Sequence, residues 1–129
     1  MNKFSLDTEI TGPFNEALAK VKESLKAEGF GVLSEVDVQA TLREKIGVEL
    51  EPYTILGVCN PKLAHAAITI EPKIGVFLPC TVLVRQSGDR VLISAQDPGL
   101  IDTFLGIPAL EPMATEARTR IAGALGVRV

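Results

Sequence analysis

Tryptophan is absent from these 129 residues, tyrosine and histidine occur once each, and phenylalanine five times. Single-stranded nucleic acid is held by stacked rings along a positively charged track. Here rings are scarce, the formal net charge is −3 and acidic and basic residues interleave, so no nucleic-acid partner is expected. Long apolar runs are missing too. The strongest, Ile74 to Val84, is broken by Pro79 and followed by Arg85, which is too short to span a bilayer. The N-terminus carries no charged segment leading into an apolar one, so the expectation is a cytoplasmic protein with no membrane contact. With two cysteines, Cys59 and Cys80, there is no disulfide scaffold to read. What is present is ordinary for a globular chain: 47% hydrophobic and 22% charged residues, enough for a single domain over residues 1–129 with one core.

The familiar catalytic devices are equally absent. There is no phosphate-binding loop and no dinucleotide glycine fingerprint. Gly29-Phe30-Gly31 ends a helix and starts a strand, the wrong order for cradling phosphate. No G-x-S-x-G elbow occurs. Glu49 and Glu51 flank a loop and read as solvated, and Asp97 reads as a helix cap. Two cysteines and one histidine lack the close spacing of metal ligands, so neither a metal nor a cofactor is expected, and whether the chain is an enzyme is left open.

The local pattern is clearer. Phe4, Leu6, Thr8 and Ile10 alternate with Lys3, Ser5, Asp7 and Glu9, the mark of a strand with one wet face. Pro13 opens a helix whose stripe is Phe14, Leu18, Val21 and Leu25, and Gly29 is a fitting terminator. Residues 30–38 read as a strand with Phe30, Val32, Ser34, Val36 and Val38 facing alike, and 40–46 as a short helix stopped by Gly47. Tyr53–Cys59 is a third strand. Asn60-Pro61 starts an alanine-rich helix reaching about Ile70: asparagine caps free amides and proline suits the first helical position. Pro72–Pro79 is a loop or a helical turn. Cys80–Gln86 and Arg90–Gln96 flank Ser87-Gly88-Asp89, a hairpin signal. Asp97-Pro98 caps a helix ending near Gly106, and Pro108 starts the last one, with an apolar face of Leu110, Met113, Ala114, Ala117, Ile121, Ala124 and Leu125. Consecutive strands late in the chain favour antiparallel pairing and an α+β fold: a curved antiparallel sheet of about five strands with helices packed on it.

The middle strands are apolar on both sides. Ile55 and Cys59 lie opposite Leu56 and Val58, while Leu83 and Leu92 lie opposite Val82, Val84, Val91 and Ile93. Contiguous apolar surface of this kind is rare on monomers. Three covers are open: the chain's own small helices, a second copy in a two-fold dimer, or an apolar ligand.

Cys59 directly precedes the cap Asn60, where a thiol feels unpaired amides and the positive end of a helix. Lys62 and His65 are one turn apart on that helix, the candidate neighbours for a catalytic Cys59. Cys59, Cys80 and Asn60 are the candidate ligand-binding residues. The plain alternative is that each cysteine is a small buried apolar filler.

Gly29-Phe30-Gly31-Val32-Leu33, then Tyr53-Thr54-Ile55-Leu56-Gly57-Val58-Cys59-Asn60-Pro61, then Ile74-Gly75-Val76-Phe77-Leu78-Pro79-Cys80 together resemble the bacterial and archaeal domain-of-unknown-function family 302, over roughly residues 3–125. The family pattern often carries asparagine after the second cysteine, where Thr81 stands here. The resemblance implies a TATA-binding-protein-like fold (strand, helix, four strands, helix) and a small homodimer, and it implies no established activity. Two readings of function follow. One is a homodimeric domain binding a small ligand or a partner on its sheet surface. The other is a thiol-based enzyme, or a redox or soft-metal sensor, using Cys59 with Cys80.

Overall fold

A computed structural model describes residues 4–128. Strands β1 (Ser5–Thr11), β2 (Gly31–Asp37), β3 (Tyr53–Cys59), β4 (Cys80–Ser87) and β5 (Arg90–Gln96) form one antiparallel sheet in the order β1-β5-β4-β3-β2. Helices α1 (Phe14–Ala27), α2 (Val38–Ile46), α3 (Pro61–Ile70), α4 (Pro98–Leu105) and α5 (Glu111–Leu125) are added between and after the strands, with 3₁₀ turns at Pro72–Phe77 and Pro108–Leu110. This is the α+β architecture expected, and the sheet is open at both edges.

The core lies on one face of the sheet. Leu56, Val58, Val82, Val84, Val91, Ile93 and Ala95 are fully buried there. Against them pack Val21 and Leu25 of α1, and Ile121, Ala122 and Leu125 of α5. Burying side chains of this size contributes roughly 1.5–3 kcal/mol each. The end of α1 shows how the layers lock. Gly29 adopts a left-handed φ of 85°, the Gly29 amide donates to the Lys26 carbonyl at 2.9 Å, and the Phe30 amide donates to the Leu25 carbonyl at 2.8 Å. That double closure places Phe30 beside Leu25, and both are buried. The hairpin closes through two residues, Gly88 and Asp89, because Ser87 pairs directly with Arg90. A positive φ of 62° at Gly88 matches the strand twist that such turns need.

Two expectations about facing are corrected. Phe4 was placed on the core face of β1, but the strand begins at Ser5 and the Phe4 ring is 63% exposed. Residues 30–38 were read as one uninterrupted alternation. The ladder instead slips between Val32 and Ser34: Val32 pairs with Val58, whereas Ser34 pairs with Gly57 and Val36 with Ile55. The extra residue is Leu33, a β-bulge that reverses facing beyond it. Val32 therefore joins the core, while Ser34 and Val36 turn to the opposite face.

That opposite face is apolar in part, as the strand patterns indicated. Register puts Ile55, Leu83 and Leu92 on it beside Val36. None of the four is buried, so the chain's own helices do not enclose them. Towards β1 the same face becomes polar: Arg90 pairs with Glu9 at 2.9 Å, and the Ser94 hydroxyl donates to Asp7 at 2.6 Å.

Gly57 lies where no side chain fits. A Cβ there would sit 2.7 Å from Cγ of Pro79 and would also overlap the Ser34 hydroxyl. Alanine normally stabilises a strand relative to glycine. Gly57→Ala is instead expected to destabilise by about 1–3 kcal/mol through overpacking. Gly31→Ala, at a strand glycine with nothing within 4 Å of its added Cβ, serves as the control and should be neutral or stabilising. Urea unfolding of both variants measures the contrast, and equal effects would show that the Pro79 contact is unimportant.

Candidate binding cavity

The two cysteines are brought to one end of the sheet by strand pairing. Val58 lies directly opposite Cys80, so Cys59, the last residue of β3, sits one step beyond that pair. From there the chain turns into α3. Asn60 Oδ1 accepts from the Leu63 amide at 3.2 Å with Pro61 at the first helical position, as the cap motif predicts. The 3₁₀ turn Pro72–Phe77 returns the chain to Cys80. On the other side Asp97 Oδ1 accepts from the Gly99 amide at 2.9 Å, which starts α4.

These elements enclose an apolar cavity of about 100 Å³. Three of them contribute the same spacing: Asn60, Leu63, Ala64 and Ala67 before and along α3; Pro98, Ile101, Asp102 and Leu105 on α4; and Leu110, Met113, Ala114 and Ala117 leading into α5. Positions i, i+3, i+4 and i+7 share one helical face, so three stripes converge on one space. Val58 and Phe30 close it from the sheet side and Ile74, Phe77 and Leu78 from the 3₁₀ turn. Phe77 meets the exposed Phe104 of α4 edge-on, with ring centroids 6.5 Å apart, a favourable aromatic geometry that ties the two sides of the rim. The side-chain polar groups in the wall are the two thiols, Asn60 and Asp102.

The structure therefore gathers Cys59, Cys80 and Asn60 into one wall. Both cysteines are free thiols and partly accessible. Lys62 and His65 are not in that wall. They share a helical face, as expected, but it is a different one from the Asn60–Leu63–Ala64–Ala67 stripe, and both are exposed. The positions that sequence reasoning passed over are Asp102, Phe77 and Met113. A signal for Asp102 does exist: it is the one acidic residue in the otherwise apolar stripe 98–101–102–105.

The chemistry of the wall lends a thiol enzyme no support through Cys80. Burial first, and the neighbouring Cys59 second, push the Cys80 thiol from an ordinary value of 9.0 up to about 11. A low-dielectric site disfavours the charged thiolate, which is the nucleophilic form. The proposed partner base, His65, faces away. Among the described residues no three His, Cys, Asp or Glu side chains are grouped to hold a metal ion, so soft-metal binding would rest on the two thiols alone. The geometry gives the thiol-enzyme and sensor readings no support.

A one-sided sheet with a half-open apolar cavity at the end of its central strands defines the class: a small α+β domain with a pocket walled mostly by apolar side chains. Residues 6–126 match the family described as "Domain of unknown function DUF302", and the chain belongs to that family. A solved structure described as "Crystal structure of uncharacterized conserved protein DUF302 from Bacillus stearothermophilus" is 33% identical, with a TM-score of 0.90, and the match covers 97% of this chain and 98% of that one. No curated protein matches the chain.

The raised Cys80 pKa carries a pH consequence. Below about pH 9 the thiol is protonated in both folded and unfolded chains, so the term is silent. Between pH 9 and about 11 the unfolded chain loses this proton while the folded one keeps it, so stability falls as pH rises. Cys80→Ala should flatten that part of the stability–pH curve. Ultraviolet titration of Cys59→Ala, which leaves Cys80 as the sole thiol, should show thiolate appearing only well above pH 9. A thiolate transition at pH 8 in that variant would contradict the burial argument.

Proposed function

We propose that this chain is a homodimeric, cytoplasmic binding domain that takes a small, largely apolar ligand in the cavity between the Cys59–Cys80 end of the sheet and helices α3, α4 and α5. The carrying observation is the convergence of three helical stripes on one apolar space. Ligand sites are concave and mostly apolar, with few polar groups to orient the guest. The cavity replaces the sheet surface as the ligand's place because its wall is almost wholly apolar, whereas the hollow of about 330 Å³ on the opposite sheet face, bordered by Ser34, Val36, Ile55, Thr81 and Gln96, is shallower and more polar. In this reading Cys59, Cys80 and Asn60 orient the ligand without reacting with it. Two free thiols suit a reducing compartment, which supports the cytoplasmic assignment. No helix among the described residues is long and apolar enough to cross a membrane. With the inserted helices α2, α3 and α4 set aside, the order is strand, helix, four strands, helix, which supports the TATA-binding-protein-like reading of the fold.

The sheet surface is assigned to the second copy. Val36, Ile55, Leu83 and Leu92 form an apolar area that the chain leaves accessible, next to the polar band of Asp7, Glu9 and Arg90. A two-fold interface uses the same patch on both subunits, and an apolar centre with a charged border is how such interfaces are built.

Two experiments test these assignments separately. Benzene should perturb the methyl resonances of Leu63, Ile101 and Met113 saturably, since an engineered cavity of about 150 Å³ takes benzene. Ala114→Leu should fill the space and abolish the response while preserving or raising the unfolding temperature. A variant that still binds benzene at the same resonances would place the guest elsewhere. For the dimer, sedimentation at micromolar concentration should give twice the 13.8 kDa chain mass, with Leu83→Lys shifting it to the monomer. A monomeric parent protein would sink the assignment.

A further inference from the structure

We infer that the guest is a single unbranched alkyl chain: its end lies in the cavity, its next carbons leave across Phe77 and Phe104, and its polar head stays in water. This rests on the cavity being the ligand site. A volume of about 100 Å³ admits roughly four to six carbons, on the scale set by the benzene-sized cavity. The stripes Asn60 to Ala67, Pro98 to Leu105 and Leu110 to Ala117 each run through about two helical turns, or about 10 Å. A small volume drawn out along walls of that length suits a chain better than a compact ring system.

The exit is apolar as well. Phe77 belongs to the cavity wall. The Phe104 ring that it meets edge-on is 77% exposed and stands one turn on from the wall residue Ile101. At the end of the α3 stripe, Ala67 is followed by Ile68, which is also exposed. Apolar side chains scattered singly over a surface are ordinary, whereas several gathered at one hollow are a feature of ligand grooves. The cavity is half-open, so a chain can run from the wall onto this rim. The wall itself suits the tail and not the head. Asn60 Oδ1 is engaged by the Leu63 amide, burial keeps the Cys80 thiol protonated, and Asp102 is only half-buried. A head group drawn inside would give up water without a fitted partner, which is costly. A free single-chain molecule and the acyl tail of a bilayer lipid share the chemistry that this arrangement takes.

The test is a titration of the intact protein with butan-1-ol, hexan-1-ol and octan-1-ol, following the methyl resonances of Leu63, Ile101 and Met113. Affinity should rise about fourfold per added methylene through octan-1-ol. Phe104→Ser should weaken octan-1-ol about tenfold and leave butan-1-ol, which is too short to reach the ring, unchanged; the butan-1-ol response also reports that the variant is folded. The branched isomer of octan-1-ol, 2-propylpentan-1-ol, should bind about tenfold more weakly than the straight chain. Affinity that stops rising at hexan-1-ol would overturn the inference with the cavity reading intact. So would octan-1-ol binding that is indifferent to Phe104→Ser, or equal binding of the branched isomer. Phosphatidylcholine vesicles separate the two sources: cosedimentation that Phe104→Ser abolishes assigns the chain to a bilayer lipid, and octan-1-ol binding without cosedimentation assigns it to a free molecule. If neither butan-1-ol, octan-1-ol nor benzene perturbs those resonances, the cavity reading itself fails and this inference goes with it.

Discussion

Everything in this molecule is organised by the fact that its sheet is sealed on one face only. Leu56, Val58, Val82, Val84, Val91 and Ile93 supply a continuous apolar floor, and helices must be laid across it for the chain to fold. Over most of the floor two long helices suffice, α1 and α5, each presenting a buried stripe. At the Cys59–Cys80 end the cover is assembled from shorter pieces. Several of their facing positions are small: Ala64 and Ala67 from α3 and Ala114 and Ala117 from α5 line the same space. Alanines at facing positions leave unfilled volume where leucines would interdigitate, since protein interiors otherwise pack to crystal-like density. The cavity is thus a direct outcome of residue size on two helices, and its two ends of chemistry, thiols and carboxylate, enter from the strands and from α4.

Much of the fold was legible before any coordinates. Asn60-Pro61 and Asp97-Pro98 each combine a capping side chain with a residue suited to the first helical position, and both start helices where they should. Tyr53–Cys59 and the hairpin ends were readable because turn residues bracket them. The bulge at Leu33 was not. Val32-Leu33-Ser34-Glu35-Val36 shows nothing that marks one residue as surplus, and the slip is decided by pairing with β3. Glu35 then falls on the core side, where it reaches Lys22 of α1 at 2.6 Å, a contact that sequence spacing alone does not disclose.

The site was half legible for a related reason. Cys59, Cys80 and Asn60 were singled out by their places at element ends, and strand pairing brings them together. Lys62 and His65 were attached to them by proximity along the chain, yet α3 is apolar almost all round, with Ala66, Ile68 and Ile70 off the cavity stripe. Such a helix does not announce which way it is rolled, and the rotation that turns Leu63 to the cavity leaves His65 exposed. Asp102 was overlooked because α4 was read from its termini. Its position four residues after Pro98 becomes informative once the helix is known to show that face to a hollow.

The surplus residue in β2 has a bearing on how copies of this chain can meet. β2 is the rim of the sheet, a row of open amides and carbonyls that would ordinarily invite another strand to extend the ladder. A kink at Leu33 interrupts that row, and at the opposite rim Asp7 and the Glu9–Arg90 ion pair place charged groups along β1. Irregular and charged rims are the devices by which natural sheets resist strand-by-strand growth into fibres. Association is thereby steered away from the margins, so that oily flat contact between two molecules need not become open-ended polymerisation.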